Sequence, residues 1–278
     1  MMRIGSLFSG VGGLERGLEL AGLGTVAFQC EIDPFCRQVL AKHWPNATRY
    51  NDVREVGHGT ARVDVLCGGF PCQDVSLAGK RAGLSGERSG LWYEYLRVIR
   101  ELAPSIVVIE NVLGLRTRGL RDVLAGVADL GFDAEWCDLS AEEVGAPHRR
   151  RRLFIVAAHP ERIVVRGEPG WLGRSCWARA AELANHGDAG TSAHADSEGE
   201  PQPQRRLANQ WRRASDGGWR PPVSPIRGVD AGVSDRMDGG LGSRMPTEKH
   251  GRRLKALGNA VVPQCAELVG RAILEATR

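Results

Sequence analysis

The stretch Ile4-Gly5-Ser6-Leu7-Phe8-Ser9-Gly10-Val11-Gly12-Gly13, running straight into Leu14 to Leu20, decides the fold. A short apolar run ends in a glycine-rich turn and passes at once into a segment of helical period. Glycines at such a junction let the backbone turn sharply and approach a ligand closely, as between the first strand and first helix of nucleotide-binding α/β sheets. The same rhythm continues downstream. It predicts strands at Ile4–Phe8, Val26–Cys30, Val63–Cys67, Ile106–Ile109 and Leu153–Ala157, with helices at Leu14–Leu20, Phe35–His43 and Leu120–Leu130. Strands that alternate with helices imply a parallel sheet, so the expected class is α/β with a doubly wound, mostly parallel sheet.

The rest of the composition bounds the partners. A chain of 278 residues with 42% hydrophobic residues can bury a full core, enough for one medium domain and a smaller appendage. The net charge of +4 admits a polyanionic partner without requiring one. Seven cysteines without paired spacing point to a reducing cytosol rather than a disulfide framework, and the expected location is cytoplasmic. No C-x-x-C pair suggests a metal. No basic leader or long apolar run suggests a membrane. After His159, Gly, Pro, Ser, Asn and Arg dominate up to about Pro246 and no apolar period is sustained. Trp171, Trp177, Trp211 and Trp219 with Arg205, Arg206, Arg212, Arg213 and Arg220 offer stacking faces and phosphate contacts. Equally, tryptophans in loops pack small satellite cores and arginines sit in solvent. The helical pattern returns in Leu257–Thr277, after Pro263, and that helix is expected to dock back on the main sheet.

Several side chains carry chemistry. Glu31 follows the second strand about 20 residues after the glycine turn, where a carboxylate accepts hydrogen bonds from ribose hydroxyls. Asp52 lies one loop further on and suits an adenine amino group. No lysine follows Gly13, and the charge of Glu15 is expected to repel a pyrophosphate, which favours an adenosine compound without phosphates. Capping or a solvated loop charge would explain Glu31 or Asp52 singly. Past the third predicted strand, Gly68-Gly69-Phe70-Pro71-Cys72-Gln73 puts a cysteine at the carboxyl edge of the sheet, and its thiolate is a good nucleophile. Cys72 opens the polar loop Gln73–Gly90, whose glycines and cations, Lys80, Arg81 and Arg88, read as a lid over a nucleic acid. Glu110 and Asn111 end the next strand, where a carboxyl can hydrogen-bond a ring nitrogen. On extended backbone His148, Arg150 and Arg152 share a face. A generic phosphate patch is the alternative reading of the four consecutive arginines from Arg149 to Arg152.

Taken in order, Phe8-Ser9-Gly10-Val11-Gly12-Gly13, Glu31-Ile32-Asp33, Asp52-Val53, Gly69-Phe70-Pro71-Cys72-Gln73, Glu110-Asn111-Val112, His148-x-Arg150-x-Arg152 and Gly258-Asn259-Ala260-Val261-Val262-Pro263 resemble the motifs of the bacterial and phage DNA cytosine-5 methyltransferases. The resemblance covers about the first 160 residues and the last 25. It implies a Rossmann-like methyltransferase fold, S-adenosyl-L-methionine as cofactor and double-stranded DNA as substrate. It also implies a target cytosine flipped from the duplex, with Cys72 adding to carbon 6, Glu110 contacting N3 and the amino group, and Arg152 holding O2. Arg150, Asn111 and Pro71 complete the implied catalytic set. Phe8, Gly10, Gly12, Glu31, Ile32, Asp52, Val53, Leu91 and Asn259 would line the cofactor, and Ser76, Lys80, Arg88 and His148 would meet DNA. The implied organisation is a catalytic and cofactor-binding domain over 1–159, a small target-recognition region over 160–246 and a returning segment over 247–278. A monomer is expected, and a cognate restriction endonuclease is a candidate partner.

Two departures stand out. His148 replaces the family's usual Gln, and the arginine-rich motif ahead of the final helix has only a loose counterpart in Arg227–Asp238. The competing readings are a transfer-RNA cytosine-5 methyltransferase, whose extra Cys-Phe-Thr signature is missing, and an inactive DNA-binding relative, which would tolerate loss of Cys72, Glu110 or Arg152. A nucleotide-binding oxidoreductase would explain the glycine turn but not the Cys72 loop.

Overall fold

A computed structural model of the chain describes residues 1–71, 90–146, 148–166, 169–176, 178, 212–213, 219–220 and 248–278. Its main sheet has seven strands: β1 (Met2–Leu7), β2 (Gly24–Cys30), β3 (Thr48–Tyr50), β4 (Val65–Gly68), β5 (Ile106–Val112), β6 (Asp133–Ser140) and β7 (Arg151–Ala158). They lie in the order β3-β2-β1-β4-β5-β7-β6. The five strands from β3 to β5 run parallel, whereas β7 runs antiparallel to both β5 and β6. The doubly wound, mostly parallel expectation holds. The strand rhythm did not reveal β3, β6 or the reversal of β7.

Among the described residues, the sheet is flanked by helices α1 (Gly13–Leu20), α2 (Pro34–His43), α3 (Gly90–Leu102), α4 (Leu115–Arg118), α5 (Leu120–Ala128), α6 (Glu248–Asn259) and α7 (Pro263–Ala276). Because both faces are covered, the central strands are mostly apolar, and successive residues serve opposite cores. Leu66, Val107 and Ile109 pack with Tyr95, Ile99 and Val123 of α3 and α5. Their neighbours Val65, Cys67 and Val108 pack with Leu14, Leu18, Leu268 and Val269 of α1 and α7. Helix α3, which has no counterpart among the predicted elements, buries Trp92, Tyr95, Val98, Ile99 and Leu102, one stripe at helical spacing.

The predicted return of the C-terminal helix is observed, and small residues make it possible. α7 begins with Pro263 at its first turn, where a missing N–H costs nothing. A side chain on Gly17 of α1 would run into the Pro263 carbonyl and Ala266, and one on Gly270 of α7 would meet Ala21. The packed unit also continues past His159. Glu135 of β6 accepts hydrogen bonds from the backbone N–H of Gly170 (2.5 Å) and Leu172 (3.0 Å). This caps a helical turn at 171–176, whose Leu172 and Cys176 are fully buried. Further along, β8 (Arg212–Arg213) pairs with β9 (Trp219–Arg220). Most of the proposed lid Gln73–Gly90, with Ser76, Lys80, Arg81 and Arg88, lies outside the described residues, as do Trp177, Trp211, Arg205, Arg206 and the stretch 227–238. Among the described residues no helix is long and apolar enough to cross a membrane.

The α1–α7 contact sets an expectation. Overpacking a filled core costs about 1–3 kcal/mol. Gly17→Val should therefore lower the melting temperature by several degrees in calorimetry, at roughly 2–4 °C per kcal/mol. Gly59→Ala, where an added methyl meets nothing within 4 Å, should stay within about 0.5 kcal/mol of the parent.

Candidate active site

The strand order reverses between β1 and β4, and in open α/β sheets the crevice beyond the carboxyl ends at that point is where ligands bind. On the β1 side the turn is conformationally special. Gly10 and Gly12 have φ of 56° and 86°, and Phe8, unusually for a bulky residue, has φ of 54°. A left-handed non-glycine costs on the order of 1–3 kcal/mol and persists only when its surroundings impose it. Here the Phe8 ring stacks near Tyr95 with centroids 6.2 Å apart. The next residue is tied as Ser9 N–H donates to the Cys30 carbonyl at 3.0 Å. A side chain on Gly12 would meet the Trp44 ring, one on Gly13 the Val261 carbonyl, while Gly10 faces open space.

Glu31 holds this turn from β2. Its Oε2 accepts from Gly10 N–H at 2.7 Å and its Oε1 from Asp33 N–H at 2.8 Å. Asp33 in turn caps α2 by accepting from Phe35 and Cys36 N–H. Ile32, between them, is 72% exposed, an apolar face beside a carboxylate. Asp52 accepts from Arg54 N–H at 3.0 Å, capping the turn Val53–Glu55, and pairs with the Arg54 guanidinium at 3.1 Å. Val53 is buried, Leu91 packs partly buried on the same core, and Asn259 is exposed as the last residue of α6. Glu15, expected to present its charge toward a ligand, is instead wholly buried beneath the turn. Its position does not bear on phosphate discrimination.

On the β4 side, the approach to Cys72 is built against β5. Phe70 is buried and its carbonyl accepts from Asn111 Nδ2 at 3.1 Å, while Pro71 is exposed. A methyl on Gly69 would lie 2.7 Å from Glu110 Oε2, so only glycine lets that carboxyl reach the loop. Glu110 is buried and pairs with Arg152 Nε at 2.9 Å. Burial pushes its carboxyl up to about 7, against the pull of Arg152 and Arg150. Cys72 and Gln73 lie outside the described residues.

Of the three residues expected to share a face, Arg150 and Arg152 both stand near enough to Glu110 to act on its carboxyl, whereas His148 does not belong to the strand. β7 begins only at Arg151, and His148 is exposed ahead of it. The arginine run is not a bare cationic patch: Arg149 pairs with Glu142, Arg151 with Asp138 and Glu143, and Arg152 with Glu110. Arg150 Nη1 donates to the Gly258 carbonyl at 2.5 Å, at the C-terminal end of α6, where a cation satisfies a free carbonyl and complements the helix dipole. Gly69 and Gly258 enter the sequence reading only as members of motifs, without roles of their own. The Gly68-Gly69 doublet was the available signal for the first; the second is a backbone acceptor with no signature.

Comparisons with known proteins bear on the family and the fold. The family model described as C-5 cytosine-specific DNA methylase matches residues 2–195, and the chain belongs to that family. It is 34% identical over 165 residues to the type II methyltransferase M2.BsuMI of Bacillus subtilis (strain 168), covering 56% of this chain and 42% of that protein. It is 40% identical over 159 residues to the type II methyltransferase M.Eco47II of Escherichia coli, covering 54% of this chain and 38% of that protein. The matched part thus spans well under half the length of these curated relatives. The crystal structure of the S. pombe Dnmt2 methyltransferase superposes with a TM-score of 0.61 at 15% identity, covering 99% of this chain and 98% of that one, and so shares the fold.

A carboxyl raised on folding favours the folded state below its ordinary range and loses that contribution as pH rises through the raised value. Glu110→Gln removes this dependence. Between about pH 4.5 and 8, unfolding measurements should show the variant gaining on the parent by on the order of 3 kcal/mol; parallel curves would rule out the buried proton.

Proposed function

We propose that the chain is a DNA cytosine-5 methyltransferase that uses S-adenosyl-L-methionine and attacks its target through Cys72. The observation that carries this reading is the meeting, at one carboxyl edge, of the Gly69-Phe70-Pro71 approach to Cys72 with the buried Glu110–Arg152 pair.

The cofactor fits the residues on the β1 side. Open space over Gly10, the Glu31 carboxylate and the exposed face of Ile32 suit an adenosine. Phe8, Gly12, Asp52, Val53, Leu91 and Asn259 complete its surround. When bound, S-adenosyl-L-methionine supplies an electrophilic methyl group for carbon 5 of the base.

Everything else falls to the chain. A cytosine flipped from the duplex, at a cost of a few kcal/mol, enters beside Pro71. The Cys72 thiolate forms a bond to carbon 6. Glu110, able to carry a proton near neutral pH because it is buried, gives it to N3 as electrons move into the ring, which makes carbon 5 nucleophilic. Arg152 holds Glu110 and reaches O2, while Asn111 fixes the Phe70 carbonyl next to the nucleophile. After methylation, the carbon 5 proton passes to solvent, the Cys72 sulfur departs as thiolate with the bond electrons closing the 5,6 double bond, and Glu110 takes back the N3 proton, which restores both the ring and the enzyme. Arg150 acts through Gly258, as a positioning residue. Ser76, Lys80, Arg88 and His148 meet the DNA backbone, and 160–246 contributes target recognition. The enzyme works as a monomer in the cytoplasm beside the DNA it modifies, and the names of its relatives support a place alongside a cognate restriction endonuclease.

Purified protein given unmethylated plasmid and labelled S-adenosyl-L-methionine should incorporate label as 5-methylcytosine. Cys72→Ala should abolish incorporation and Glu110→Gln should cut kcat by about 10²–10⁴-fold. Label in transfer RNA but not in DNA would overturn the substrate, and no label in either would leave a binding protein.

A further inference from the structure

We propose that Glu15 is a positioning residue for the cofactor turn: from α1 its carboxyl bridges Ser6, Ser9 and Gln29 and so fixes the backbone at Ser9–Gly10. The inference rests on the cofactor reading above. Glu15 is 0% exposed, and Ser6, Gln29 and Ser9, the groups around it, are themselves buried. Gln29 Nε2 donates to Glu15 Oε1 at 3.5 Å, and the Ser6 and Ser9 side chains stand beside the carboxyl. Ser9 Oγ also donates to Ser6 Oγ at 2.9 Å, so the turn is threaded into the same network.

Loop residues 9–10 are thereby pinned on two sides. Outside, Gly10 N–H is held by Glu31. Inside, the Ser9 hydroxyl donates to Ser6, and both side chains stand beside the buried Glu15 carboxyl. The inner anchor contains no cation: no Lys, Arg or His side chain is among the partners of Glu15. The titratable groups nearby are Cys67 on β4, which feels both Glu15 and Glu19, and Glu19 itself, whose oxygens are taken by Val26 N–H and Trp44 Nε1. Glu15 Oε2 and Gln29 Oε1 both lack a donor. Two adjacent acceptors without donors, in a site with no positive charge, call for a proton on the carboxyl, and burial raises its proton affinity accordingly. A neutral carboxyl both donates and accepts, which is the role an amide side chain can also fill.

Hydrogen exchange of the cofactor-free protein tests this. In Glu15→Ala the amides of Ser9, Gly10 and Gly12 should exchange at least tenfold faster, while those of β5 keep their protection. Glu15→Gln should match the parent within threefold at neutral pH. It should also stay protected as pH is raised through the range in which the parent, corrected for intrinsic exchange, loses protection. Unchanged exchange in Glu15→Ala, or equal loss in Glu15→Gln, overturns the proposal. Should Glu15→Ala fail to fold, the glutamine variant and the parent's pH series decide it. Calorimetric titration with S-adenosyl-L-methionine separates the two readings. A tenfold weaker affinity in Glu15→Ala is expected; a parent that binds none, with loop exchange behaving as described, refutes the cofactor assignment alone.

Discussion

The reversed strand β7 is the constraint on which the catalytic edge depends. Parallel strands all end at the same edge, so β1, β4 and β5 deliver the glycine turn, the approach to Cys72 and Glu110 to one crevice. An arginine that must meet Glu110 from the start of its own strand can do so only if that strand runs the other way. Because β7 pairs antiparallel with β5, Arg152 stands opposite Val112, two residues beyond Glu110, and its guanidinium reaches back to the carboxyl at 2.9 Å. A parallel β7 would carry Arg150 and Arg152 to the opposite edge. The edge strand β6, itself antiparallel to β7, supplies Asp138 for Arg151 and leads to Glu143, so alternate arginines are satisfied on opposite sides.

Two buried carboxyls show how the fold separates their tasks by their surroundings. Glu110 has cations beside it and is only partly relieved by them, since removal from water outweighs their attraction. That leaves it poised near neutrality, the condition under which a carboxyl can both hold and release a proton at working pH. Glu15 has hydroxyls and an amide but no cation, and burial alone raises it. Its proton serves hydrogen bonding rather than transfer. The same residue type thus serves two ends of one crevice, distinguished by whether an arginine stands within reach.

Much of this was legible before any coordinates. Apolar runs broken by glycine turns located four of the parallel strands, and the ordered motifs picked out Glu31, Glu110 and Arg152, all of which lie at the expected edge. What stayed hidden did so for physical reasons. β3 is three residues long and β6, Asp133–Ser140, mixes Asp, Glu and Trp because it lies at an edge and buries little. Helix α3 carried a plain helical stripe, but it opens at Gly90, the end of a polar loop whose character dominated the reading. Strand direction leaves no trace in a strand's own residues. Glu15 was misread because a charge in sequence says nothing about whether the folded chain exposes it.

The described residues on either side of the middle segment are tied to the packed unit. The chain departs from the core at the helical turn 171–176, where Leu172 and Cys176 share one core with Cys265 and Leu268 of α7. It returns through α6, whose final turn is held by Arg150, and then through Val261, which closes on Gly13 of the cofactor turn. The return is therefore fastened directly to elements that carry site residues, and the departure to the core beneath them. A long insertion between fixed points costs little extra closure entropy, since that cost grows only with the logarithm of length. Arg150 matters in this scheme less for its charge at the base than for joining the strand that bears Arg152 to the helix that ends in Asn259.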